Sequence, residues 1–292
     1  MQKLNLEKCV LISGAGKGIG RVTTEYLAQK GFKIYAGARK DQDLRDLEKI
    51  DNVKSIKLDI TEDEDVKTAL EFIQNENKGL FGLINNAAIP WAGPCIESTI
   101  EEIKDILDVN LLGVHRLTKT FFPLLRESNG RIVMISSIGG LFAYPFTGLY
   151  SISKFALETY SNTLRRELIG LNVDSGAEAE GIKVSIVNPG QIKTPMREKI
   201  KSLVDQKIEE NPDSLFKNIS PKMKDEVFNR TDKNAISALE VAKAIYRALT
   251  DKKPKIRYLV GISSWQRALL KVLPERRTDK MVKNYFKKLL KS

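Results

Sequence analysis

The feature that most constrains this chain is a repeated alternation between short, almost wholly apolar runs and longer stretches patterned for helix. Cys9-Val10-Leu11-Ile12-Ser13, Ile34-Tyr35-Ala36, Val53 to Leu58, Leu80 to Asn85, Arg131-Ile132-Val133-Met134-Ile135, Ile182 to Val187 and Ile256 to Val260 read as seven strands. The most continuous of them, Arg131 to Ile135, suits a strand covered on both faces by helices. Between them, helices are expected from Ile19 to Lys30, stopped by Gly31, and from Leu149 to Leu168. Capping-box spacing at Thr61/Glu64, Ser98/Glu101 and Ser237/Glu240 marks three more, the second opening a long helix through Asp108 and His115. Strict alternation of this kind joins parallel strands by right-handed crossovers. The fold class expected is therefore α/β, a doubly wound, mostly parallel sheet with helices on both faces.

All 292 residues are expected to form one domain, with two departures from the alternation. Residues 191–235 are charged, contain Pro195, Pro212 and Pro221, and follow the carboxyl end of a strand. Open α/β sheets place lids there, so this segment reads as a lid of short helices or loops over a substrate. Residues 262–292 read as a basic extension, in which Met281, Val282, Tyr285, Phe286, Leu289 and Leu290 recur at helical spacing among lysines. The formal net charge is +11, and 251–292 alone hold 13 Lys or Arg against three acids. A basic amphipathic helix of this kind suits packing on its own domain or a partner subunit, with peripheral membrane contact as the alternative. The near-neutral body and the lack of a recognised binding motif argue against nucleic acid.

Composition excludes several chemistries. Two cysteines, Cys9 and Cys95, cannot build a disulfide framework or a four-thiolate zinc site. A single histidine, His115, argues against a His-rich metal site and a Ser-His-Asp triad, and reads as a packing residue. No metal site is expected. No apolar run approaches the ~18–20 residues of a membrane-spanning helix, and the first ten residues do not read as a signal peptide. The expectation is a cytoplasmic protein with reduced thiols.

The first strand ends in Ser13-Gly14-Ala15-Gly16-Lys17-Gly18-Ile19-Gly20. A Gly-rich turn between a first strand and first helix lets backbone approach a pyrophosphate, with helix N–H groups facing the anion. An NAD site usually carries an acid about 20 residues further on, at the ribose hydroxyls. Here Ala38-Arg39 stand instead, and Arg39 with Lys17 would grip a 2′-phosphate. NADP(H) is therefore expected ahead of NAD(H), for which Asp41 and Asp43 leave room. Tyr150 and Lys154 are four residues apart and share a helix face, so the ammonium is expected to favour the phenolate. Ser137, Asn85-Asn86-Ala87-Ala88, Asn110, Pro189-Gly190 and Thr194 fall at strand carboxyl ends or on the helices that follow. That is the edge where such sheets bind ligands.

Taken together, these motifs resemble the short-chain dehydrogenase/reductase family, over roughly residues 6–195. The resemblance implies a Rossmann-type fold and hydride transfer between a nicotinamide and an alcohol or carbonyl carbon. It implies that Tyr150 is the general acid/base, that Ser137 orients the substrate oxygen, that Lys154 lowers the tyrosine pKa and binds the nicotinamide ribose, and that Asn110 holds a proton-relaying water. Around the cofactor it implies Ser13, Gly14, Lys17, Gly18, Ile19 and Gly20 at the phosphates and Arg39, Asp59 and Ile60 at the adenosine end. Asn86, Ala87, Pro189, Gly190, Ile192 and Thr194 would line the rest of the channel with Tyr150 and Lys154. Two positions depart from the family pattern: Ser13 replaces the usual Thr, and Ala88 the usual Gly, which puts a methyl into that turn.

Apolar loop residues, among them Trp91, Ile138, Tyr144 and Phe146, suit a lipophilic alcohol, ketone or aldehyde better than a sugar. The surroundings of Ser137 to Phe155 and the Pro254 to Tyr258 segment look like the steroid and retinol dehydrogenase branch. A homo-oligomer, dimer or tetramer, is expected. The competing readings are a reductase of acyl groups on an acidic carrier protein and a dinucleotide-sensing scaffold without catalysis. An intact Ser137, Tyr150, Lys154 and Asn110 argues against the scaffold.

Overall fold

A computed structural model describes residues 8–174, 181–225, 235–262 and 274–291. The expectations for residues 1–7, for 226–234 of the lid and for 263–273 and 292 of the tail lie outside the described residues. Seven strands form one sheet: β1 (Cys9–Ile12), β2 (Lys33–Ala38), β3 (Val53–Lys57), β4 (Gly82–Asn85), β5 (Arg131–Ile135), β6 (Lys183–Pro189) and, omitting a short pair described below, β9 (Arg257–Val260). Their order is β3-β2-β1-β4-β5-β6-β9, and every pairing is parallel. The order reverses between β1 and β4, which opens a crevice above their carboxyl ends.

Alternate side chains of each strand enter opposite cores. Val10 and Ile12 join Ile84, Val133 and Val187 beneath α1 (Gly18–Gln29) and α8 (Ala238–Thr250). Cys9 and Leu11 join Leu83, Ile132 and Met134 beneath α3 (Asp63–Asn75), α5 (Gly113–Glu127) and α6 (Gly148–Asp174). Both faces of the sheet's interior are thus dry, which is why β1 and β5 read as continuous apolar runs, whereas β3 at the edge alternates, with Lys54 and Lys57 exposed.

Several local details differ from expectation. α2 (Asp41–Glu48) links β2 to β3 and went unseen in the sequence; it is short and mostly polar, with only Leu47 buried and Leu44 packed against the same core. α3 begins at Asp63 with Glu62 at its cap and no side-chain capping bond, so Thr61/Glu64 do not form a capping box. Thr61 instead bonds Asp59 through its amide and hydroxyl, at 3.0 and 2.8 Å. The next box exists one residue later than expected. Thr99 caps α4 (Ile100–Leu107) and Glu102 bonds back to the Thr99 amide, while the Ser98 hydroxyl turns away to the Cys95 carbonyl. The long helix expected through His115 is broken by a π-helical turn, Asp108–Leu112, between α4 and α5. The lid begins not with short pieces but with a 16-residue helix, α7 (Pro195–Glu210), whose Pro195 occupies the first turn where no amide donor is needed. Two-residue strands β7 (Ile192–Lys193) and β8 (Ile236–Ser237) tie the lid's two ends together. The tail forms α9 (Glu275–Lys291), packed back on the domain through the buried Leu289 and through Phe286 against Phe146.

Candidate active site

A cleft of about 1230 Å³, mostly apolar in lining, opens at the crevice. Its floor is the Gly-rich turn. Gly14 has φ +65°, and a Cβ there would stand 2.9 Å from the Ala87 backbone. At Gly20 a Cβ would stand 2.2 Å from the Gly14 carbonyl oxygen, so only glycine lets α1 start this close to β1. The N-cap of α1, Lys17, makes no side-chain capping bond, and the first turn holds no acid. Free N–H groups and the positive helix end therefore face the cleft, as an anionic phosphate requires.

Ser13 and Asn86 staple this floor to β4. The Ser13 hydroxyl accepts from the amides of Asn86 and Ala87, each at 3.1 Å, and the Asn86 side chain donates to the carbonyls of Ser13 and Gly14 at 2.9 and 3.0 Å. Ser13 and Gly20 shape the floor from below it, whereas Gly14, Lys17, Gly18 and Ile19 line the cleft. So do Asn86, Ala87 and Ala88. Ala88 has no positive φ, so its methyl sits without backbone strain.

The adenosine end expected from the sequence contains Arg39, Asp59 and Ile60, all in the cleft wall. Arg39 leaves 59 % of its side chain exposed and donates to the Asp59 carboxylate at 3.2 Å. Burial raises the Asp59 pKa, but hydrogen bonds from Thr61 and Arg39 outweigh it and hold the carboxyl below its ordinary value. Asp43 reaches the same corner, its carboxylate lying where a Gly16 side chain would go. At the far end Pro189, Gly190, Ile192 and Thr194 line the wall, and Thr194 lies beside Gly18, bringing the start of the lid onto the Gly-rich turn.

Ser137 follows β5 and caps a 3-10 turn, Ile138–Gly140, accepting from the Gly139 amide at 3.1 Å. Tyr150 is on the first turns of α6, and a side chain at Gly139 would stand 3.4 Å from its ring and 3.5 Å from the Ser137 hydroxyl oxygen, so the two groups lie side by side in the cleft wall. Ser137 and Tyr150 thus meet at one stretch of the cleft wall. Burial pushes the Tyr150 phenol above its ordinary value, and the neighbouring Ser137 hydroxyl acts the other way. This departs from the expected lysine-lowered phenol, because the Lys154 ammonium stands 5.8 Å from the ring centroid and donates to the Ile135 carbonyl at 3.0 Å. Desolvation lowers the Lys154 pKa to about 8, while Glu158 one turn further along α6 works to raise it.

Asn110 lies in the π-helical turn, fully buried and outside the cleft lining. Its amide is committed to other groups: it accepts from the Ile89 amide at 2.8 Å and donates to the Ile89 carbonyl and the Ser153 hydroxyl, both at 3.0 Å. It therefore pins the loop after β4 to the helix that carries Tyr150. His115 is exposed, its ring edge-on to Tyr160 and away from the cleft.

Of the expected substrate contacts, Trp91, Ile138 and Tyr144 line the cleft. Phe146 stands apart, lining a smaller cavity of about 480 Å³ beneath α7 and packing on Phe216 and Phe286. The sequence reading missed the wall made by α9: Thr278, Met281, Val282 and Tyr285 close the cleft, alongside Ile200 and Met223 of the expected lid. The helical spacing of the tail was visible, but nothing in the sequence shows which surface such a stripe covers.

Among the described residues no helix is long and apolar enough to cross a membrane, and no group of three or more His, Cys, Asp or Glu is placed to hold a metal.

The fold and cleft define an α/β protein of the doubly wound, dinucleotide-binding class. Residues 8–204 match the family model for short chain dehydrogenase, and the chain belongs to that family of oxidoreductases, whose fold binds a nicotinamide dinucleotide. Among curated relatives it is 33% identical over 269 residues to the mitochondrial D-beta-hydroxybutyrate dehydrogenase of Rattus norvegicus, covering 86% of this chain and 76% of that protein. It is 31% identical over 281 residues to the uncharacterized oxidoreductase YbbO of Escherichia coli K12, covering 95% and 94%. It is 32% identical over 266 residues to the 17-beta-hydroxysteroid dehydrogenase type 6 of Bos taurus, covering 87% and 81%. Its fold matches a Burkholderia phymatum short chain dehydrogenase/reductase in complex with NAD, with a TM-score of 0.74, 21% identity and 97% of each chain covered. It also matches a Burkholderia cenocepacia short chain dehydrogenase in complex with NADP, with a TM-score of 0.68, 24% identity, and 94% and 97% covered.

Proposed function

We propose that this protein is an NADP(H)-dependent oxidoreductase that interconverts a lipophilic secondary alcohol and its ketone, or a related alcohol and aldehyde, with Tyr150 as general acid/base. The observation that carries the proposal is the adjacency of the Ser137 hydroxyl and the Tyr150 ring in an apolar cleft above a phosphate-ready helix end. A bound nicotinamide supplies or accepts the hydride. The chain's own part is to hold the substrate oxygen between Ser137 and Tyr150 and to move a proton at that oxygen. A phenol kept protonated by burial is suited to donate as negative charge develops there during reduction. Lys154, buried beside the ring, would hold the nicotinamide ribose.

Preference for NADP(H) rests on Arg39, Lys40 and Lys17 around one corner of the cleft and on the lack of an acid at the end of β2. Asp59 and Asp43 compete with a phosphate for those cations, so the expected preference is moderate. Of the substrates named by the relatives, a steroid suits the apolar lining better than a short hydroxy acid. Residues 191–235 serve as the lid. Exposed Leu112, Ile152 and Phe155, around the start of α5 and on α6, support self-association, which light scattering would measure.

The test is to titrate NADPH and NADH by fluorescence, then to screen hydrophobic carbonyl compounds with wild type and Tyr150→Phe. NADPH should bind more tightly, and the variant should lose roughly 10²–10⁴-fold in turnover with cofactor binding kept. Undiminished turnover in the variant rejects the assignment.

A further inference from the structure

Behind the site lies a buried polar chain that the mechanism above does not use. Glu158 is 5 % exposed, on the same helix as Tyr150 and Lys154. One of its oxygens accepts from the Asn188 amide of β6 at 2.5 Å, and the other is paired with the Arg257 guanidinium of β9. Asn188, fully buried, spends its second N–H on the Ser137 carbonyl at 3.0 Å. The 3-10 turn after Ser137 passes so close that a Gly140 side chain would stand 2.9 Å from the Lys154 carbonyl and 3.1 Å from Cγ of Glu158. A carboxylate is costly to bury and stays ionised only when paired and hydrogen-bonded, as both oxygens are here.

We propose that Glu158 and Arg257 are positioning residues of the active site, which act through Asn188 on the Ser137 turn and through their charges on the electrostatic field at Lys154. The proposal rests on the catalytic reading of Ser137, Tyr150 and Lys154 given above. Among the described residues, the titratable and charged groups around Lys154 are Tyr150 and Glu158 on α6 and, behind Glu158, Arg257 on β9; β5 presents the Ile135 carbonyl and β6 the Asn188 side-chain amide. The carboxylate favours the ammonium; the guanidinium fixes that carboxylate in place and, as a like charge to Lys154, is inferred to act against the ammonium. Removing either charge alone should therefore move the Lys154 equilibrium, in opposite directions for the two residues. A role confined to packing has no such antisymmetry.

The experiment uses the full chain labelled with ¹³Cε-lysine, its Lys154 resonance assigned by loss in Lys154→Met and titrated by NMR in wild type, Glu158→Gln, Arg257→Gln and the double variant. The expected result is a Lys154 pKa lower by roughly half to one unit in Glu158→Gln, higher by a similar amount in Arg257→Gln, and close to wild type when both charges are gone. The pH dependence of alcohol oxidation with NADP⁺ should shift the same way in each single variant. Single variants that are folded by circular dichroism and shift together, or not at all, overturn the proposal. If a single variant does not fold, Arg257→Lys decides. It keeps the charge and loses the fork, so an unmoved Lys154 titration with kcat lowered about tenfold supports the proposal, and unchanged kcat overturns it. Tyr150→Phe run in parallel separates the two readings, because its retained turnover would reject the catalytic assignment while leaving the lysine titrations interpretable.

Discussion

Lys154 is the most sharply testable residue, because its burial has an energetic consequence independent of any substrate. The side chain is 2 % exposed, and its only direct hydrogen bond among those described is to the Ile135 carbonyl at 3.0 Å. Its pKa falls from the ordinary 10.5 to about 8, chiefly by desolvation, with Glu158 recovering part of the loss. That gap corresponds to about 3 kcal/mol, as an upper order-of-magnitude figure. The folded-state pKa lies below the unfolded value, so between about 8 and 10.5 the unfolded chain binds more protons than the native one. Stability contributed by this group therefore rises with pH across that window, and below pH 8 the native state carries the full cost of a buried ammonium. Lys154→Met removes the charge while keeping an unbranched apolar stem. The variant should be more stable than wild type by about 1–3 kcal/mol at pH 7, after allowing for the lost bond to Ile135. That advantage should be flat below pH 8 and shrink towards zero as pH approaches 10. Urea denaturation of both proteins from pH 6.5 to 9.5, plotted as a difference, isolates the term from every other titrating group. An advantage that is independent of pH, or that grows with pH, refutes the reasoning. The same variant should be almost inactive, so stability and turnover would move in opposite directions.

Other perturbations probe separate parts of the molecule. Gly20→Ala places a methyl against the Gly14 carbonyl, so we expect about 1–3 kcal/mol of destabilisation in urea, with cofactor affinity reduced more than tenfold by fluorescence titration. Arg39→Asp removes the phosphate fork and places a second carboxylate beside Asp59. The NADPH/NADH affinity ratio should fall by at least tenfold, and an unchanged ratio would dismiss Arg39 as a specificity residue. Tyr285→Ala opens the α9 wall of the cleft; KM for an apolar ketone should rise roughly tenfold while cofactor Kd holds, and a change in cofactor Kd alone would misplace that wall.

Much of the fold was legible because its signals are local. Apolar strand runs, the Gly-rich turn and the Tyr150/Lys154 spacing each depend on neighbours a few residues apart, and the parallel sheet follows from their alternation. Legibility failed where a choice between adjacent groups depended on direction. Ser98 and Thr99 both carry hydroxyls, and only the path of the preceding turn decides that Thr99 faces the first amides of α4. It failed again for α2, where Leu44 and Leu47 alone meet the core and one i, i+3 pair is too short a trace to mark a helix, and for the π-helical turn that interrupts a continuous helical pattern at Asn110.

By itself, then, the sequence determined the doubly wound sheet, the phosphate-facing turn and the identity of the residues gathered at the sheet's carboxyl edge. Only the tertiary structure decided that α9 walls the cleft, that Phe146 packs with Phe216 and Phe286 in a neighbouring cavity, and that Arg257 pairs with a carboxylate 99 residues away. The reason is physical. A backbone pattern is set by short-range sterics and periodicity, whereas the partner of an amphipathic stripe or a buried charge is whichever distant surface lowers its desolvation cost, and that surface exists only once the chain has folded.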